Sequence, residues 1–183
     1  MKFNEKKTTQ LAAYFLQKSN GTLFLIKLLK LLYIADREAF REFGHPITFD
    51  KYVSMDNGPV LSQTYDIMTG SNAQFEGYWS AMISDRSGHK LSISDESEIS
   101  YSSLSDAEML IADKVFEEYG HIPRFELCEM THEFDEWEDP KGSSFPIDYE
   151  NILKAVEYSD EESEFAIKRM HEQQSIDKFF NAV

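Results

Sequence analysis

The sequence predicts an α+β fold that is mainly α: a helical domain around a hydrophobic central helix, with a small antiparallel β-sheet inserted mid-chain. Three observations carry this. The stretch from Leu23 to Ile34 is apolar nearly all round, as a helix at the centre of a domain is. Residues 75–101 change to a strand-like pattern around the turn Asp85-Arg86-Ser87-Gly88. Elsewhere the apolar spacing is helical, with cap signals at starts and stops. The 183 residues fit one domain. It divides into a helical core over 1–70 and 105–158, a β-hairpin over 75–101 and a C-terminal helix over 160–181.

In chain order, residues 5–18 form a first amphipathic helix, with Leu11, Tyr14, Phe15 and Lys18 at helical spacing. Asn20-Gly21 ends it, since both residues tolerate left-handed backbone angles. Thr22 is placed as the cap of the central helix, which runs to about Phe43 and stops at Gly44. Lys27, Lys30, Tyr33, Arg37 and Arg41 recur along it every three or four residues. That stripe reads either as a wet edge, with lysine stems lying over apolar neighbours, or as a contact face. An extended apolar segment, 46–53, leads into Met55-Asp56-Asn57-Gly58-Pro59-Val60. The turn there is tight because Asn and Gly accept positive φ and Pro biases Gly away from helix.

A short helix, 61–68, then stops at Gly70. Phe75 to Ile83 reads as a strand and Lys90 to Ser94 as its hairpin partner, with Ile99 and Tyr101 pairing at the edge. Ser105-Asp106-Ala107-Glu108 has the spacing of a capping box and opens a helix closed by Gly120. Pro123 restarts the chain into a helix from Phe125 to about His132. An irregular stretch containing Trp137, Pro140, Gly142 and Pro146 crosses to Ile147, and helices over 149–156 and 160–180 follow.

Eighteen basic residues against 33 acidic ones give a net charge of −15, which argues against gripping a phosphate backbone. The charge is uneven: residues 1–43 carry a net +4 and residues 117–164 a net −13. Such asymmetry favours a basic protein partner or mimicry of nucleic acid, while a solvated acidic surface is the plainer reading. Cys128 is the only cysteine, so no disulfide framework is available. The N-terminus runs into a polar helix rather than a secretory signal. The apolar stretch from Leu23 is too short to span a bilayer and carries Lys27 and Lys30. A soluble, cytoplasmic chain without a membrane partner is expected.

Chemistry is hard to find. Cys128 and His132 share a helix face, and with His121 they could hold zinc or serve a thiol enzyme. A fourth ligand would have to come from the acidic loop, and no motif places an oxyanion hole. The eight glycines are scattered, so no phosphate-cradling loop is present. No catalytic residue, metal or cofactor is assigned. A zinc or thiol enzyme centred on His121, Cys128 and His132 stands as an alternative, as does an acidic, phage-derived inhibitor that mimics nucleic acid.

Four short blocks resemble a known family. Lys27-Leu28-Leu29-Lys30-Leu31-Leu32-Tyr33-Ile34-Ala35 looks like the early "KLxKLLYfA" helix of the Panacea (SocA-like) antitoxin domain. Phe43-Gly44-His45-Pro46-Ile47 and Asn57-Gly58-Pro59-Val60 are similar to its next two blocks. Thr131-His132-Glu133, ending at Trp137, resembles its "TH" helix end closed by a tryptophan. The blocks span about residues 10–155. Asn57 stands where the family usually has an aromatic, and Glu136 where a proline often precedes the tryptophan.

The resemblance implies a non-catalytic domain that neutralises a cognate toxin by direct binding, or delivers it as an adaptor to a Clp-type protease. The toxin is usually encoded next door, and members also occur in phages and prophages. The candidate partner-binding residues are Lys30, Tyr33, Arg37, Asn57, Pro59, His132, Glu136 and Trp137. Tyr33, Asn57, Pro59, His132 and Trp137 also have a reading as residues that pack the fold, and Lys30 and Arg37 one as part of a wet edge.

Overall fold

The computed structural model describes residues 2–71, 75, 77–86, 88–94 and 99–181. Ser87 of the expected hairpin turn, and residues 72–74, 76 and 95–98, lie outside them. Among the described residues the chain is mainly helical, with two small antiparallel sheets, so the α+β class and the helical majority hold.

Helix α1 (Glu5–Lys18) starts where Asn4 Oδ1 accepts from the Lys7 amide at 3.0 Å. It ends, as its sequence indicates, at Asn20 (φ 58°) and Gly21 (φ 84°). The next segment departs from expectation. Thr22 caps no helix: Thr22–Phe24 is strand β1, and the central helix α2 (Leu25–Phe43) begins after it without a side-chain cap. The reason is a partner that local signals do not announce. Strand β1 pairs antiparallel with β5 (Lys90–Ile93), Thr22 opposite Ser92 and Phe24 opposite Lys90. Gly44 closes α2 in the left-handed conformation, φ 70°.

The first sheet has the order β1-β5-β4, with β4 (Ile83–Arg86) as the other hairpin arm. Among the described residues of the strand expected from Phe75 to Ile83, only Ile83 belongs to a strand. Tyr78–Met82 forms a helical turn, α4, because the Trp79 amide is held by the buried Glu5 carboxylate at 3.1 Å and its ring is buried. Ile99 and Tyr101 are not paired either. Tyr101 instead packs edge-on against Tyr14 and donates to Gln17 Oε1 at 2.7 Å, while β1 occupies the sheet edge.

A second sheet, not expected from the sequence, has the order β3-β2-β6. Strands β2 (Tyr52–Met55) and β3 (Gly58–Leu61) flank the turn at Asp56-Asn57, and β6 (Phe145–Ile147) crosses back to pair Tyr52 with Ile147. Helix α3 (Ser62–Thr69) follows and stops at Gly70, φ 68°. Helix α5 (Asp106–Tyr119) opens on the full capping box of Ser105 and Glu108. Helices α6 (Arg124–Thr131), α7 (Tyr149–Ala155) and α8 (Asp160–Asn181) complete the order, with Glu157 (φ 75°) breaking α7 from α8.

Helix α2 is the centre of the core. Leu28, Leu29, Leu31, Leu32, Ile34, Ala35, Ala39 and Phe40 are buried against Leu11, Phe15 and Leu16 of α1 and against Ile111 and Val115 of α5. Each large apolar side chain so buried contributes about 1.5–3 kcal/mol relative to exposure. No helix among the described residues is long and apolar enough to cross a membrane.

Candidate functional site

The stripe on α2 is not a wet edge. Lys30 and Tyr33 are fully buried, and each polar head except that of Arg41 reaches another part of the chain. Lys27 Nζ donates to the carbonyls of Gly120 and Ile122, at 2.5 and 2.7 Å, and so holds the α5–α6 connection. Lys30 Nζ donates to the Pro59 carbonyl at 2.7 Å and holds strand β3. Tyr33 Oη donates to Glu136 Oε1 at 2.9 Å, and Arg37 Nε donates to the same oxygen at 2.8 Å. Arg37 also reaches the Ala155 carbonyl at 3.3 Å and lies 4.2 Å above the Phe134 ring. Lys27 and Arg37 are partly buried, whereas Arg41 is exposed and paired with its own helix neighbour Glu38. The polar stripe therefore gathers two loops, strand β3 and the end of α7 onto one helix.

Above it the Asn-Gly-Pro turn and the tryptophan loop interlock. Gly58 has φ 89°, and a Cβ there would fall 2.3 Å from Thr131 Oγ1 and 2.8 Å from Lys30 Nζ. A side chain has neither the backbone angle nor the room. Trp137 Nε1 donates to the Met55 carbonyl at 3.1 Å, and the Trp137 ring stacks on His132 with centroids 4.2 Å apart. The Glu138 amide donates to Ser54 Oγ at 3.2 Å and the Gly142 amide to Asp56 Oδ1 at 2.9 Å. Of the eight residues singled out in the sequence, Lys30, Tyr33, Pro59 and Glu136 are buried and Arg37 nearly so. Asn57 is exposed, and His132 and Trp137 are half-buried.

Two carboxylates that sequence reasoning passed over complete the frame. Asp36, 1% exposed, accepts from the Ile47 and Thr48 amides, at 2.8 and 3.0 Å, from the Tyr52 hydroxyl at 2.7 Å and from the Thr48 hydroxyl. Asp50 accepts from the Gln63 and Thr64 amides at 2.9 Å each and from the Thr64 hydroxyl at 2.6 Å. It thereby caps α3, whose own first residues supply no cap. Asp36 interrupts an apolar helix, which was the available signal; Asp50 gave none.

Burial sets the electrostatics. It pushes the Asp36 carboxyl up to about 6, opposed by its four hydrogen bonds, and raises Asp50 in the same direction. It lowers the Lys30 ammonium to about 7, against an upward pull from Cys128 in its thiolate form. It also raises the Cys128 thiol, which lowers its nucleophilic thiolate fraction. His121 is exposed whereas Cys128 is buried. Among the described residues no group of three or more His, Cys, Asp or Glu could hold a metal ion.

The outward face of α6 adjoins this corner. Leu127, Cys128 and Thr131 face the core, while Phe125 and Met130, 62% and 37% exposed, stand among the exposed Glu126, Glu129 and Glu133. The sequence treated these carboxylates as part of a diffuse charge. The two apolar residues among them were not singled out.

Fold and site together define a scaffold in which internal polar anchors hold other segments of the chain around an apolar helix. Residues 28–138 match the model of the antitoxin SocA-like, Panacea domain family, and the chain belongs to that family. The matched stretch runs from α2 past Trp137 and contains all eight candidate residues. No curated protein and no solved structure matches the chain.

Proposed function

We propose that this chain is an antitoxin-like protein that neutralises a cognate toxin by direct binding in the cytoplasm, without chemistry of its own. Its contact surface is the outward face of α6 together with the corner formed by Asn57, His132 and Trp137. Lys30, Tyr33, Arg37, Pro59 and Glu136 act beneath that surface and fix its position. The observation that carries this reading is the face itself. Phe125 and Met130 expose apolar area on either side of the exposed Glu126, Glu129 and Glu133, with Arg124 stacked 4.7 Å from the Phe125 ring, an arrangement suited to apolar contacts flanking a charged strip. A toxin with a basic surface would be steered to it and slowed by salt.

The test is co-expression with the toxic product of the adjacent gene. Growth is restored and the two proteins co-purify; neither rescue nor co-purification overturns the reading. The combined substitution Glu126→Lys, Glu129→Lys and Glu133→Lys cuts the association rate about tenfold or more at low salt, while Phe125→Ala raises the dissociation rate. Toxin levels separate the two mechanisms. Protease-dependent loss of the toxin marks an adaptor for a Clp-type protease, and a constant level with restored growth marks blocking.

A further inference from the structure

Helix α8 lies beyond the stretch that matches the family, and it carries two apolar faces. One is buried: Ser163, Ala166 and Met170 pack against the body of the molecule. The other is open. Phe165 is 62% exposed and Ile176 49%. Ile176 lies about three turns beyond Phe165, so the two share one side of the helix. Lys168 and Glu172, both exposed, stand on that same side between them. Neither has an ion-pair partner among the described residues.

We propose that this stripe binds the same stripe of a second copy, the two α8 helices packing antiparallel about a twofold axis. The charge order selects both the occupant and the direction. Lys168 and Glu172 sit equally far on either side of Met170, and Phe165 and Ile176 sit almost equally far outside them. Antiparallel pairing centred on that level sets Lys168 opposite the partner's Glu172 and Phe165 beside the partner's Ile176, and each contact occurs twice, as an isologous interface requires. Parallel pairing would set lysine against lysine and glutamate against glutamate. It would also bring together the two acidic first turns of Asp160, Glu161 and Glu162. Antiparallel pairing moves those turns to opposite ends.

Sedimentation velocity on the full chain, from about 1 to 500 μM, tests this in the range expected of a modest helix–helix interface. A reversible dimer is expected, and Phe165→Glu renders it monomeric with unchanged helix content by circular dichroism. Lys168→Glu and Glu172→Lys each weaken the dimer roughly tenfold by placing like charges together twice. An equimolar mixture of those two variants regains the affinity, because an acidic stripe then meets a basic one. Three results would each overturn the proposal: a monomer at every concentration, a dimer indifferent to Phe165→Glu, or a mixture no tighter than either variant alone. A monomeric result leaves the stripe to some other protein and does not touch the toxin-binding reading, which rests on α6.

Discussion

Replacing Glu136 by alanine tests whether the α2 stripe is an anchor. The Glu136 side chain is fully buried and that of Arg37 only 11% exposed, and their Nε–Oε1 distance is 2.8 Å. Removing one member of a buried pair costs about 3–5 kcal/mol, because the charge left behind has lost its partner. Arg37 keeps the Ala155 carbonyl and the Phe134 ring face, which places the cost near the low end. The Tyr33 hydroxyl also loses its acceptor, a buried donor worth about 1 kcal/mol or more. The expected loss is thus about 3–4 kcal/mol, read as a shifted urea midpoint followed by tryptophan fluorescence, with the slope unchanged. Arg37→Met alone should cost a similar amount, since it strands the carboxylate. The double variant Arg37→Met with Glu136→Ala should recover about 2 kcal/mol of the summed loss, as coupled neighbours do. A cost below about 1 kcal/mol for Glu136→Ala, or strict additivity in the cycle, would refute the anchoring role.

Further outcomes follow from the same frame. Gly58→Ala combines a left-handed φ with a 2.3 Å approach to Thr131 Oγ1, and should cost about 2–4 kcal/mol by urea unfolding. A neutral result would mean that the turn can shift. Lys30 loses its proton at about 7 when folded and at an ordinary 10.5 when unfolded. The unfolded chain therefore binds more protons across that window, and stability should rise with pH from about 7 toward 10.5. Lys30→Met should flatten this rise in unfolding midpoints taken at successive pH values. Asp36 has the opposite sign: held protonated up to about 6 when folded and only to 3.8 when unfolded, it should make stability fall as pH rises between those values. Asp36→Asn should remove that fall. Asp50→Ala uncaps α3 and strands the Thr64 hydroxyl, for an expected loss of about 2 kcal/mol by thermal unfolding.

Elements defined by their own residues were legible before any coordinates. The bounds of α1, the left-handed pair Asn20-Gly21, the Ser105 capping box and the stops at Gly44 and Gly70 all depend on neighbours a few residues away. Thr22–Phe24 misled because a threonine before an apolar run is a sound helix cap, yet its strand partner Lys90–Ile93 lies far along the chain. Strand β2 met the same difficulty, since Phe145–Ile147 completes its sheet. The candidate residues stand together around the polar stripe of α2, but their depth was not legible in the sequence. A lysine among leucines carries no local mark that its ammonium will end on the Pro59 carbonyl rather than in water. That depends on Gly58 having no side chain and on the β2–β3 turn arriving above the helix.

Three of the groups that α2 sends out share one chemical habit: Lys27, Lys30 and the outer nitrogen of Arg37 end on main-chain oxygens. A carbonyl is the same acceptor whatever residue bears it. The clamp is therefore blind to the side chains displayed on the far surface, and Phe125, Glu126, Glu129 and Met130 can be rewritten without loosening what holds them. In evolutionary terms, the molecule separates the grip from the vocabulary. A library randomised at those four positions should retain folded members in high proportion, and so offers a frame that can be retargeted to a new partner.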